Sequence, residues 1–190
     1  MLVDSYVVGD CLKNMKQMDE GTFNLVEIDP PYGIDLGKMK KKDGVSKYSF
    51  GAECYNEIDR DDYTKFMADV LYQTYHVMAE HSWLILWFAP EPWFETLYRL
   101  LIANEFDVSR MVGVWAKPSG QTMNPDTRLA NSYEMFFYAR KGSPALAKPG
   151  STNLFTYPQV PNQKKTHPTQ TPVDLKRDHL TTLPLTNAQV

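Results

Sequence analysis

Cysteine is scarce in this chain: Cys11 and Cys54 are the only two in 190 residues. They give no disulfide framework and no metal-ligand spacing, and they suit a reducing cytosol. Neither His76 nor His81 has a partner at ligand spacing, so no metal is expected. No apolar run reaches membrane length, Trp83–Phe88 being strand-sized, and no signal peptide is visible. These absences predict a soluble, cytoplasmic protein with no membrane partner. Positive charge is also lacking, with a net charge of −3 and a pI near 5.8. Any contact with phosphates must therefore come from a local basic patch. Glycine ends early: all ten lie at or before Gly150.

What is present is enough apolar residue for a core, 43% of the chain, with 13% aromatic. The length suits one domain and is short for two. Tyr6-Val7-Val8 reads as a short strand ending at Gly9-Asp10-Cys11, followed by Leu12, Met15 and Met18 at helical spacing. Asp10 there is either a helix N-cap or an acceptor for a ligand hydroxyl or amine. Asn24–Ile28 reads as a second strand. Residues 33–58 form a polar loop with Lys38, Lys40, Lys41 and Lys42, read as a mobile segment that meets phosphates or as a solvated loop.

Asp59–Glu80 carries the apolar stripe of a helix, capped by Asp61 or Asp62. Trp83–Phe88 is apolar throughout, as in a strand buried on both faces, and Pro90 and Pro92 open the next helix. This alternation predicts an α/β fold with a largely parallel sheet. Arg110–Trp115 and Tyr133–Ala139 read as a hairpin at one sheet edge. The polar stretch between them, the end of the second strand and the loop-rich segment from Ser143 to Lys165 hold Lys117, Arg128, Arg140, Lys141, Lys148, Lys164 and Lys165, residue types that can read bases or simply face water. A helix begins at Val173, after Thr166-His167-Pro168-Thr169-Gln170-Thr171-Pro172, and polar groups at such a start suit an anionic ligand group.

Asp29-Pro30-Pro31-Tyr32 follows the run Leu25–Ile28, at the strand end where open α/β sheets bind ligands. The plain alternative is a strand-ending turn. The chemistry that fits these four residues is methylation of an exocyclic base amine, a poor nucleophile because its lone pair is delocalised. Two acceptors on its hydrogens favour a pyramidal nitrogen and stabilise the charge that develops on attack. Asp29 offers one and the Pro30 carbonyl the other. Proline fixes φ and brings no competing N–H, so Pro30 and Pro31 hold the acceptors still. Tyr32 gives a flipped base a face to stack on.

Four stretches together resemble the S-adenosylmethionine-dependent DNA amino-methyltransferases, in the circularly permuted group whose catalytic motif precedes the cofactor motif. They are Gly9-Asp10-Cys11, Asp29-Pro30-Pro31-Tyr32-Gly33, Trp115-Ala116-Lys117 with Tyr133-Glu134-Met135-Phe136-Phe137, and His167-Pro168-Thr169-Gln170-Thr171-Pro172. The resemblance implies one Rossmann-like methyltransferase domain over residues 1–190, mostly parallel with an antiparallel edge hairpin, and S-adenosylmethionine as cofactor. Asp29, Pro30, Pro31 and Tyr32 would be catalytic. Asp10, Cys11, Asp29, His167, Thr169 and Gln170 would meet the cofactor. Lys40, Lys41, Lys42, Lys117 and Arg128 would meet double-stranded DNA, with target recognition over residues 116–165. Asp at position 29, where many cytosine-N4 enzymes have Ser, favours adenine N6.

Two departures stand out. Thr171 replaces the family's usual Lys, and the Gly-rich Asp-Pro-Phe-x-Gly-Ser-Gly loop expected after the last helix has no counterpart here. The expectation is thus a sheet incomplete at its C-terminal end. Alternatives are a DNA-binding remnant without catalysis and a cytosine-N4 or RNA enzyme; self-association as a homodimer stays open.

Overall fold

The computed structural model describes residues 7–33, 58–122, 124–165, 170–183 and 190, without the side chains of Gln121 and Asn162. The expectations on Tyr6, Lys38, Lys40, Lys41, Lys42, Cys54, His167 and Thr169, and on loop residues 34–57, lie outside these. The described elements, in chain order, are α1 (Cys11–Met15), β1 (Phe23–Ile28), α2 (Arg60–Val77), β2 (Met78–Phe88), α3 (Pro90–Ala103), β3 (Gly113–Gln121), β4 (Asn131–Lys141), β5 (Leu154–Thr156) and α4 (Val173–Thr182). A short 3-10 turn spans Asn162–Lys164.

The strands order as β1-β2-β4-β3-β5. β2 is an interior strand, between β1 and β4, and its residues suit burial on both sides. Leu84, Leu86 and Phe88 join Tyr63, Met67, Leu71, Leu97, Leu101 and Phe137 in a core under α2 and α3. Trp83, Ile85 and Trp87 join Leu25, Trp115, Phe136, Phe155 and Leu175 in a second core on the α4 side. Period-two alternation along one strand thus supplies two cores. The α/β class holds, but the described sheet is mixed: β1–β2 and β3–β5 are parallel, β2–β4 and β3–β4 antiparallel.

Other expectations are corrected. Val7 and Val8 are exposed and lie in no strand; no described strand runs beside them to take their backbone bonds. α2 is capped by Asp59, whose carboxylate accepts from the Asp61 N–H at 3.1 Å, and not by Asp61 or Asp62. β2 starts at Met78, five residues before the apolar run, directly after α2. The hairpin is not at the edge, because β5 pairs outside β3, and both its strands run further towards the connecting loop than the apolar residues suggested. Lys141 is buried, its ammonium donating to the Tyr75 and Met78 carbonyls at 2.9 and 2.8 Å, and Arg140 pairs with Asp107. Both act within the fold.

Candidate active site

β1 and β2 run parallel with Ile28 beside Leu86, so their carboxyl ends open at one end of the sheet. The Asp29–Tyr32 turn follows β1 there. Pro30 is buried and anchors the turn, while Asp29 is exposed at its tip. The Tyr32 hydroxyl donates to Asp29 Oδ1 at 3.0 Å. The protein crowded around the Asp29 carboxyl pushes its pKa up; the Tyr32 bond and Lys176 act against this, and the charges of Glu134 and Glu27 reinforce it. A carboxylate in this setting is a responsive acceptor held by one hydroxyl.

Gly33 closes the turn with φ +57°, a left-handed backbone that glycine adopts without penalty. A Cβ there would lie 2.8 Å from Cδ2 of Tyr63, whose ring centroid is 4.4 Å from that of Trp93. Gly33→Ala should lower stability by at least about 1–2 kcal/mol, read as a lower thermal unfolding midpoint. An unchanged midpoint would mean that the turn tolerates a shift.

Beneath the turn lies a polar cluster that the sequence reading did not find. Glu27 Oε1 accepts from Trp87 Nε1 at 2.7 Å and from Lys176 Nζ at 2.6 Å, with His179 Nδ1 at 3.4 Å. His179 is fully buried, with its ring 4.9 Å from those of Phe136 and Phe155. The signal was an acid inside the apolar run Leu25-Val26-Glu27-Ile28, since a buried charge requires partners. Burial raises the pKa of Glu27, but His179, the Lys176 charge and bond, and the Trp87 indole outweigh it and hold the carboxyl down at about 2.

A depressed folded-state pKa contributes stability that is complete above the ordinary value of 4.5 and is lost as pH falls towards about 2. That contribution is on the order of 3 kcal/mol. The stability difference between the wild-type protein and Glu27→Gln, read by urea unfolding, should therefore narrow between those two pH values. A constant difference would count against the cluster.

The remaining candidates are spread more widely. Asp10 accepts from the Lys13 N–H at 3.1 Å, capping α1, and the Lys13 ammonium lies 3.8 Å from its other oxygen; the cap reading is thus seen, with the carboxylate exposed. Surrounding protein and then the Asp10 charge push the Cys11 thiol up. α1 packs on α2, where the Thr74 hydroxyl meets Met15 Sδ at 3.9 Å. Lys117 is paired with Glu134 and lies over the Trp115 ring at 4.6 Å. Arg128 is exposed in the β3–β4 connection. Gln170 is half-buried just ahead of α4. Among the described residues, no cluster of three or more His, Cys, Asp or Glu could hold a metal ion, and no helix is long and apolar enough to cross a membrane.

The fold has solved counterparts. The PvuII DNA methyltransferase (cytosine-N4-specific) superposes with a TM-score of 0.69 at 14% identity, over 95% of this chain and 70% of that one. The M1.HpyAVI–SAM complex superposes with a TM-score of 0.60 at 14% identity, over 91% of this chain and 72% of that one. No curated protein matches the sequence. The DNA methylase model, which joins N6 and N4 methyltransferases, matches residues 23–186. That span takes in every described strand, the Asp29 turn and α4: the chain belongs to the N6/N4 DNA methylase family.

Proposed function

We propose that the chain methylates the exocyclic N6 amine of adenine in double-stranded DNA, with S-adenosylmethionine as the methyl donor. The observation that carries this is the Asp29 carboxylate at the carboxyl end of β1, with Oδ1 held by Tyr32 in a residue that stays exposed. Asp29 accepts one amine hydrogen and the Pro30 carbonyl the other. The nitrogen lone pair would thereby be freed from the ring to form the new N–C bond as the donor's methyl–sulfur bond breaks, the sulfur leaving as a neutral thioether. Asp29 also stabilises the positive charge on nitrogen until a proton leaves. No covalent bond to the protein is needed.

The donor set fits the cofactor. Asp10 is an exposed carboxylate at a loop–helix junction, the chemistry that ribose hydroxyls or an adenine amine call for. Asp10, Cys11 and Gln170 would hold the cofactor, whose activated methyl group is what it supplies. Base stacking falls to Tyr32, and DNA contact to Arg128 and the segment over residues 116–165. The preference for adenine rests on Asp at position 29.

The test is methyl transfer from radiolabelled S-adenosylmethionine to unmethylated DNA, followed by digestion and chromatography of the nucleosides. Label in N6-methyladenine that disappears in Asp29→Ala supports the reading. Label in N4-methylcytosine would correct the acceptor, and no label from the folded chain would overturn the activity.

A further inference from the structure

The hairpin of β3 and β4 reaches past the acceptor site. Ile28, the last residue of β1, pairs with Leu86 of β2, and Leu86 pairs with Phe137 of β4. β4 begins at Asn131, six positions before Phe137, so its start stands about 20 Å beyond the level of Ile28. That is the side to which β1 delivers Asp29, because the end of β2, Phe88, pairs with Met135. Residues 124–131 are all exposed. The tip is held by its own backbone, with the Thr127 and Arg128 N–H groups both donating to the Asn124 carbonyl, at 3.2 and 2.9 Å.

Two side chains of this tip stand apart from the rest of the chain. Of the six arginines, Arg99, Arg110, Arg140 and Arg177 pair with carboxylates and Arg60 lies over the Trp93 ring. Arg128 alone has neither kind of partner among the described residues. Leu129 is 97% exposed, more than any other large apolar side chain described. A single exposed leucine is too small for a protein-binding patch, but it is the right size to meet one base.

We propose that the hairpin is a base-reading ribbon: it enters the DNA major groove beside the extruded adenine, where Arg128 meets a guanine edge and Leu129 a thymine methyl group. This rests on the reading of Asp29 as the acceptor for that adenine. The dimensions agree. The major groove is about 12 Å wide and 8.5 Å deep and admits a two-stranded ribbon, and a reach of about 20 Å carries the tip from a base held at Asp29 to the stack that the base has left. The chemistry agrees as well. Arginine can donate two hydrogen bonds to guanine O6 and N7, and an apolar side chain packs on the thymine C5 methyl. Phosphates alone call for several cations. Here Asp126 offsets Arg128, and Asn124, Thr127 and Asn131 beside them can both donate and accept.

The experiment selects duplexes bound by the intact chain from a pool with a randomised segment, without a methyl donor, and sequences them. The wild-type protein should enrich a motif. Arg128→Ala should lose its preference at one G·C pair and Leu129→Ala at one A·T pair, each preference falling about five- to a hundredfold, with the other positions kept. In the selected duplex, uracil in place of that thymine removes only the C5 methyl. It should weaken binding by the wild-type chain and leave Leu129→Ala unaffected. Uniformly weaker binding with an unchanged motif in both variants means phosphate contact alone and would overturn the proposal, as would a wild-type chain that enriches nothing. Asp29→Asn should select the wild-type motif. A motif that depends on the tip, in a chain that transfers no methyl group, would refute the catalytic reading of Asp29 and leave the hairpin as the reader. Methyl transfer whose sequence context survives both tip variants would do the reverse.

Discussion

Asp29→Asn should reduce methyl transfer by about a hundred- to a thousandfold, the scale seen when one preorganised transition-state contact is removed. The substitution keeps the shape of the side chain, takes away its charge and places an amide N–H₂ where an acceptor stood. The Tyr32 hydroxyl, now donating to Asp29 Oδ1, can still bond the amide oxygen, so the turn should survive. Stability should not fall. The Asp29 pKa is raised, by crowding before anything else, which means the ionised form opposes folding slightly, and Asn relieves that. Equal or higher unfolding midpoints with activity lost would separate chemistry from folding. Activity within a few-fold of wild type would show that the carboxylate is not the acceptor. Tyr32→Phe keeps the stacking face and removes only the steering bond, so its loss should be far smaller.

Phe137→Ala should cost about 3–5 kcal/mol, the range for deleting a buried aromatic ring. Phe137 has no exposed surface. It stacks on Phe88 with centroids 4.5 Å apart and planes 12° from parallel, and Phe94 and Tyr98 close around it at 5.2 and 6.3 Å. Those contacts join central strands β4 and β2 to α3, so the neighbours are fixed by backbone bonds and cannot collapse into the space. For a chain this long the loss corresponds to roughly 10 °C in the thermal midpoint. Leu129→Ala, at a side chain 97% exposed, should stay within about 0.5 kcal/mol. A Phe137→Ala midpoint close to wild type would mean that this face of the sheet is packed far more loosely than these distances describe.

The parts of the fold legible in the sequence were those written in side-chain period. Trp83–Phe88 announced a strand buried on both sides, and the apolar stripe from Tyr63 to Val77 announced α2. The strand ends were hidden because backbone pairing, and not side-chain burial, sets them. Ala79-Glu80-His81-Ser82 is mostly polar yet strand. Lys117-Pro118-Ser119-Gly120 continues β3 through an irregularity in its register between Ala116 and Gln121, where a proline can be tolerated. β5 is three residues long in a loop-rich stretch, too short for alternation to show, and it is what moved the hairpin off the edge. The Asp29 turn was legible because four adjacent residues carry it. The Glu27–Lys176–His179 cluster was not, since its members stand 149 and 152 positions from Glu27 along the chain.

The registers of β4 divide that strand into two mechanical regimes. From Met135 to Lys141 it is clamped against β2; from Asn131 to Glu134 it pairs with β3 alone. The hairpin therefore leaves the sheet as a cantilever whose root is rigid and whose free length begins beyond Tyr133, where β3 also parts from β5. Amide exchange should show a boundary along this single strand, slow at the root and fast beyond it. Glu27, Lys176 and Glu134 then belong to the foundation. What lies past Ala116 and Tyr133 can follow whatever the hairpin tip touches.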